Sequence, residues 1–197
     1  AQLNGATVAI IEGYSSIGQN AFSNASGLTS IEIPASVTSI EDYAFFWADL
    51  TSITFSQDSS LTSIGIYAFN GVSGLTSIEI PAGVTSIRNS TFYEAPGLTS
   101  ITFSPDSLLT SIGNAAFNQE TSLTSITIPA SVTSIGDSAF SGTTGLTSIT
   151  FSPDSLLTSI GFNAFNQATS LTSITIPASV TSIGSSAFRN ASGLTSI

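Results

Sequence analysis

Residues 123–140 read LTSITIPASVTSIGDSAF, from Leu123 to Phe140, and the fold follows from this stretch. Ile126 and Ile128 alternate with Ser125 and Thr127, the two-residue period of a half-buried strand. Pro129 comes next; it has no N–H to give to a ladder, so the strand ends there in a turn. Val132 to Ile135 re-enters the interior as a second short extended segment. Gly136 to Phe140 then reads as a turn, or a brief 3₁₀ or α turn, that plugs Phe140 into the core. One such rung cannot stand alone. Burial of ~1.5–3 kcal/mol per large apolar side chain falls short of an ordering cost near ~1.5 kcal/mol per residue. Its faces have to be covered by neighbouring copies.

Those copies are present. Leu-Thr-Ser-Ile recurs with its leucine at Leu28, Leu50, Leu75, Leu98, Leu123, Leu146, Leu171 and Leu194, at intervals of 22, 25, 23, 25, 23, 25 and 23 residues. A phenylalanine keeps the same beat at Phe22, Phe45, Phe69, Phe92, Phe117, Phe140, Phe165 and Phe188. Short rungs follow LTSI-x-IPAxVTSI, and long rungs follow LTSITFSxDSxLTSI, as from Leu98 to Ile112. Two extra residues between Phe103 and Leu109 account for the 25-residue spacing. Residues 98–145 and 146–193 match at 40 of 48 positions, so a two-rung unit has been duplicated. The expected architecture is a single solenoid over 1–197, with a degenerate rung and partial cap at 1–27 and regular rungs, uncapped at the C-terminus, over 28–197.

The pattern L-x-x-I-x-I-P-x-x-V-x-x-I-G-x-x-A-F resembles the leucine-rich repeats of the BspA-like, or Treponema-type, class over roughly residues 5 to 197. The resemblance implies a curved solenoid of about eight repeats. A parallel β-sheet would line its concave side, with turns and short 3₁₀ or helical segments on the convex side. It also implies a secreted or surface-exposed protein in a family linked to adhesion and to host or matrix binding. The family's cysteine three residues after the phenylalanine is replaced here by Ala25, Ala48, Val72, Ala95, Glu120, Thr143, Ala168 and Ala191, which removes any cysteine ladder.

Composition excludes more than it selects. The 197 residues contain no histidine, cysteine or methionine, and their only bases are Arg88 and Arg189. His/Cys metal sites, Ser-His-Asp and Cys-His catalysis, Schiff-base lysines and Walker-type phosphate loops each lack a required residue. A net charge of −10 argues against nucleic acid and anionic membrane surfaces, which are bound through Lys and Arg. Mean hydropathy is +0.40, yet no apolar run approaches the length of a spanning helix. No enzyme, no cofactor and no membrane insertion are expected. Ala1-Gln2 suits the small-residue start left by signal cleavage, in keeping with an extracellular or cell-surface location.

If the isoleucines point inward, two polar columns point outward. One is Ser30, Ser52, Ser77, Ser100, Ser125, Ser148, Ser173 and Ser196; the other is Glu32, Thr54, Glu79, Thr102, Thr127, Thr150 and Thr175. They are candidate binding residues for a protein or matrix ligand, although Ser and Thr also simply suit a solvated β face. Hydroxyls repeating every ~4.8 Å bring in ice binding as a distant third reading, against which Glu32 and Glu79 interrupt the column. Asp58, Asp106 and Asp154 recur in the long turn, too far apart to share a calcium ion, and read as Asx-type turns.

Tyr43, Phe46 and Trp47 mark an aromatic contact candidate where the beat is one residue short; the same rings could instead cover a local packing irregularity. The chain stops at Leu194-Thr-Ser-Ile197, and Gly5 to Glu12 reads as a degenerate strand with Val8 and Ile10 inward. Val8, Ile10, Leu194 and Ile197 are therefore candidates for end-to-end stacking on other copies. The expected function is non-enzymatic protein–protein contact of the adhesin or matrix-binding type. The alternative is a structural subunit stacking head-to-tail into an extracellular filament.

Overall fold

A computed structural model describes residues 8 to 197. Each rung runs over three sides. The first carries a strand of four residues, at Ser30–Ile33, Ser52–Phe55, Ser77–Ile80, Ser100–Phe103, Ser125–Ile128 and Ser148–Phe151, preceded by Val8–Ile10. The second carries a two-residue Ser-Ile strand, from Ser16–Ile17 and Ser39–Ile40 to Ser182–Ile183, forming one sheet of eight strands among the described residues. The third is a run of turns around each phenylalanine. All pairings are parallel and join like with like, as in Ser125↔Ser148 and Thr127↔Thr150. The parallel solenoid read from the repeat is the observed fold.

No helix forms on the third side among the described residues. The cause is a pair of left-handed residues in each rung, two before and two after the phenylalanine: Tyr43 (φ 59) and Trp47 (φ 52) around Phe45, Ser138 (φ 55) and Gly142 (φ 73) around Phe140. A right-handed helix cannot pass through such residues. The hydrogen bonds divide accordingly. Phe45 N–H donates to the Ala68 carbonyl of the next rung at 2.8 Å, while Phe46 N–H closes a local turn onto Tyr43 O at 3.2 Å. The side is an inter-rung ladder built from turns.

The interior is filled by equivalent positions stacked on one another. Leu123, Ile128, Val132 and Phe140 have no exposed surface, and Ile126 and Ile135 almost none. The eight phenylalanines of the repeat, Phe22 to Phe188, stack in one column, with ring centroids 5.2–5.4 Å apart and planes within 14°. The threonines of the repeated Thr-Ser-Ile serve the backbone. Thr133 Oγ1 donates to the Thr110 carbonyl at 3.0 Å, and Thr158 Oγ1 to the Thr133 carbonyl at 2.9 Å. Thr99 and Thr147 do the same for Thr76 and Thr124 beside the long strands, each at 3.0 Å.

The N-terminal strand joins the long-strand side. Val8 pairs with Ser30 and Ile10 with Glu32, which are outward positions, whereas Ala9 pairs with Ile31. Ala9 and Ile11 are the buried residues there. The side chains of Val8 and Ile10 lie outside the described residues.

Candidate functional site

The long-strand side places both polar columns outward. Ser30 and Ser100 are half-buried, and Ser52, Ser77, Ser125, Ser148, Ser173 and Ser196 are exposed. Glu32, Thr54, Glu79, Thr102, Thr127, Thr150 and Thr175 are all exposed. Strand pairing brings them into rows, and the Thr127 and Thr150 hydroxyls touch at 2.9 Å.

This side is not evenly paired, which the repeat did not reveal. From a short rung to the next long one, four residues pair in register, as between Ser77–Ile80 and Ser100–Phe103. From a long rung to the next short one the sheet opens. Ser100–Phe103 meets Ser125–Ile128 only at Ser125↔Ser100, and no pairing joins Ser52–Phe55 to Ser77–Ile80. Residue chemistry accounts for the difference. In the closed steps Ser56, Ser104 and Ser152 N–H groups donate to the Ile33, Ile80 and Ile128 carbonyls at 2.9–3.1 Å. In the open steps the matching residues are Pro81, Pro129 and Pro177, which have no N–H to offer the Phe55, Phe103 and Phe151 carbonyls.

Each opening is a groove. The first, of about 460 Å³, lies between Thr54-Phe55 and Glu79-Pro81-Ala82. The second, of about 670 Å³, lies between Thr102-Phe103-Asp106 and Thr127-Pro129-Ala130. The third, of about 560 Å³, lies between Thr150-Phe151-Asp154 and Thr175-Pro177-Ala178. Phe55, Phe103 and Phe151 are only partly buried. Behind the second groove Ser131 Oγ donates to the Leu109 carbonyl at 2.7 Å, and behind the third Ser179 Oγ donates to the Ser155 carbonyl at 2.9 Å.

The long turn differs from the Asx-type reading. Asp58, Asp106 and Asp154 are exposed, and their carboxylates take no hydrogen bond. The following serines hold the turn: Ser59, Ser107 and Ser155 Oγ accept from Leu61, Leu109 and Leu157 N–H at 3.3 Å. Among the described residues no group of three or more potential metal ligands gathers.

The aromatic candidates lie on the turn side. Tyr43 stacks on Tyr67 at 5.1 Å and meets Phe46 edge-on at 5.5 Å; Phe46 in turn meets Trp47 at 6.4 Å. Trp47 is 52% exposed. Its indole lies over Gly71, where a Cβ would come within 2.7 Å of the ring and where φ is +69. Beside it, Gly27 N–H donates to Asp49 Oδ2 at 3.2 Å. Nearby, burial and the neighbouring Glu94 push the Tyr93 hydroxyl up. Of the stacking candidates, Leu194 is half-buried and Ile197 is 69% exposed.

Two features escaped the sequence reading. Three residues before the phenylalanine, Asp42, Asn89, Asn114 and Asp137 each accept through Oδ1 from the N–H of the same position one rung on, at 2.7–2.9 Å. Asp42 also takes Arg88 Nη1 at 3.2 Å. The only sequence signal was Asn or Asp after Gly or a charged residue. The second is Glu120, wholly buried, whose Oε1 accepts from Ala95 N–H at 2.7 Å while Oε2 has no partner. Burial pushes its carboxyl up to about 9, against the weaker opposing effect of the Ala95 hydrogen bond.

The family model of the BspA type leucine rich repeat region matches residues 2–118 and 110–197, in six copies. The chain belongs to the BspA-type leucine-rich repeat family. The matching family is one of repeats, and no catalytic family is indicated. Among solved structures, this BspA-type chain is similar to the pneumococcal vaccine antigen PcpA, with 24% identity and a TM-score of 0.71, over 90% of this chain and 54% of that one. It is also similar to a leucine rich cell surface protein of Faecalibacterium prausnitzii A2-165 (23% identity, TM-score 0.53, 96% and 85% covered). The T. pallidum leucine rich repeat protein aligns at 20% identity and a TM-score of 0.53, with 95% and 76% covered. These likenesses concern the fold. The BspA-type chain spans about half the length of the PcpA structure. No curated protein matches it. Among the described residues no helix is long and apolar enough to cross a membrane.

Proposed function

We propose that the chain is a non-enzymatic binding module, displayed at the cell surface or outside the cell, that engages a protein or matrix ligand through its long-strand side. The observation that carries this reading is the side itself. It presents two exposed columns of Ser, Thr and occasional Glu, and it opens into a groove at every second rung. The buried part of each strand already satisfies the core, so the outer columns are free to meet a ligand. A family of repeats and a cell surface protein among the structural relatives support the location. Tyr43, Phe46 and Trp47 supply a separate aromatic contact on the turn side.

The test is binding of the full chain to a panel of immobilised matrix proteins, beside Thr102→Arg/Thr150→Arg and Trp47→Ala variants. At least one matrix protein is expected to bind, with a loss of tenfold or more in the double arginine variant. Binding that survives the arginines but is lost with Trp47→Ala moves the site to the turn side. Light scattering on the same samples separates ligand binding from association between copies, which Leu194 and Ile197 would mediate.

A further inference from the structure

We propose that the outer face of the Trp47 indole is a docking platform for an arginine side chain of a basic partner segment. This deepens the aromatic contact on the turn side and rests on the binding role proposed for the chain. A Cβ at Gly71 would stand 2.7, 2.7 and 3.0 Å from Cδ2, Cε2 and Cγ of Trp47. Near-equal distances to three ring atoms mean that the indole lies face down on that glycine, so its other face is turned to solvent and accounts for the 52% exposure. The ring is braced from the side. Phe46 meets it at 6.4 Å with planes 72° apart, and Tyr43, itself stacked on Tyr67, supports Phe46. Packing does not demand an indole at this position, because Gln119 lies over Gly142 in the same way with only an amide.

Charge selects the ligand. The turn side of these rungs carries Glu41, Asp42, Asp49 and Glu94 against one base, Arg88, which already pairs with Asp42 at 3.2 Å. Among the described residues no cation pairs with the exposed Glu41, Asp49 or Glu94. Asp49 follows Trp47 by two residues. Trp47, Gly71 and Glu94 hold the same position in successive rungs, so the indole leaning over Gly71 reaches toward the rung that carries Glu94. An aromatic face is negative, and beside exposed carboxylates it attracts a cation. Guanidinium suits it better than ammonium: it is planar and weakly hydrated, and it stacks on a ring while its N–H edge pairs with a carboxylate. The chain has no lysine, and its other arginine, Arg189, stands on the last rung, so the cation has to come from a partner. A net charge of −10 draws such a partner in.

Trp47 is the only tryptophan, so its fluorescence reports on the site directly. Gly/Ser peptides bearing arginine, lysine or citrulline at the same positions are titrated against the full chain, with Trp47 emission and peptide anisotropy as readouts. The arginine peptide should change Trp47 emission saturably and bind about two- to fivefold tighter than the lysine peptide, with the uncharged citrulline peptide weaker still. Trp47→Ala should abolish that preference, Trp47→Phe should restore part of it by keeping a ring over Gly71, and Glu94→Gln should weaken the arginine peptide. Equal binding of the arginine and lysine peptides with Trp47 emission unchanged overturns the proposal in favour of unspecific charge attraction. A response to the neutral N-acetylchitotriose without one to the arginine peptide overturns it in favour of a sugar platform, and silence toward every probe overturns it outright. If the arginine peptide fails while Trp47→Ala still loses matrix-protein binding, the aromatic contact stands and its arginine ligand falls. If matrix-protein binding does not depend on Trp47 either, the turn-side contact falls as well and only the long-strand side is left.

Discussion

Glu120 is a single residue that sets a pH dependence for the whole chain. It occupies the column position held by Ala168 in the duplicate unit, with no exposed surface and one oxygen unpartnered. Unfolded, it loses its proton near the ordinary 4.5; folded, it keeps the proton up to about 9. Between those values the native state holds one extra proton on Glu120, so its contribution to stability is fullest below pH 4.5 and falls by about 1.4 kcal/mol per unit as pH rises towards 9. Glu120→Gln keeps the hydrogen bond from Ala95 and has no proton to lose. Urea unfolding at pH 5 and pH 8 should show a clear loss in the wild type and a much smaller one in the variant. Equal losses would mean that Glu120 ionises in the folded chain.

Among the elements, the phenylalanine column ties each rung to the next. Phe117 has no exposed surface and stacks on Phe92 at 5.4 Å and on Phe140 at 5.2 Å. Phe117→Ala should cost about 3–5 kcal/mol, whereas Phe22→Ala, with one stacking partner and a partly exposed ring, should cost less. Denaturant titration of the two variants reads the difference. This column, the inward isoleucines and the strand-ending prolines were legible because each leaves a periodic trace in apolar residues or in Pro. The turn conformation was not, since its left-handed residues include Tyr43, Trp47, Glu94 and Gln119, types that give no local signal for positive φ. The Asn89–Asn114–Asp137 ladder was hidden because its partners lie 23–25 residues apart. The exposure of the outward columns follows from the two-residue alternation, but the grooves between them depend on an N–H that proline lacks in one rung and a carbonyl left over in another.

Over the whole molecule, the duplicated two-rung unit, a long rung followed by a short one, is the natural building block, open within and closed onto the next unit. Removing residues 98–145 joins Gly97 to Leu146, and the new neighbour repeats the sequence of the old one from Leu98 onward. The shortened chain should fold cooperatively, with an m-value lower by about a quarter, in line with the 48 of 197 residues removed. Loss of cooperative unfolding would mean that the units are not interchangeable and that the repeat has specialised along its length.

The unequal pairing of the two sheets has a mechanical side. The two-residue strands run unbroken through eight rungs, while the opposite side is slit at every second step. A rod made this way has a stiff spine and a slotted belly. Bending toward the spine widens all three slots together, and bending away narrows them together. The width of the slots and the curvature of the rod are then one coordinate, so a molecule wedged in the slots would also fix the bend of the chain that holds it.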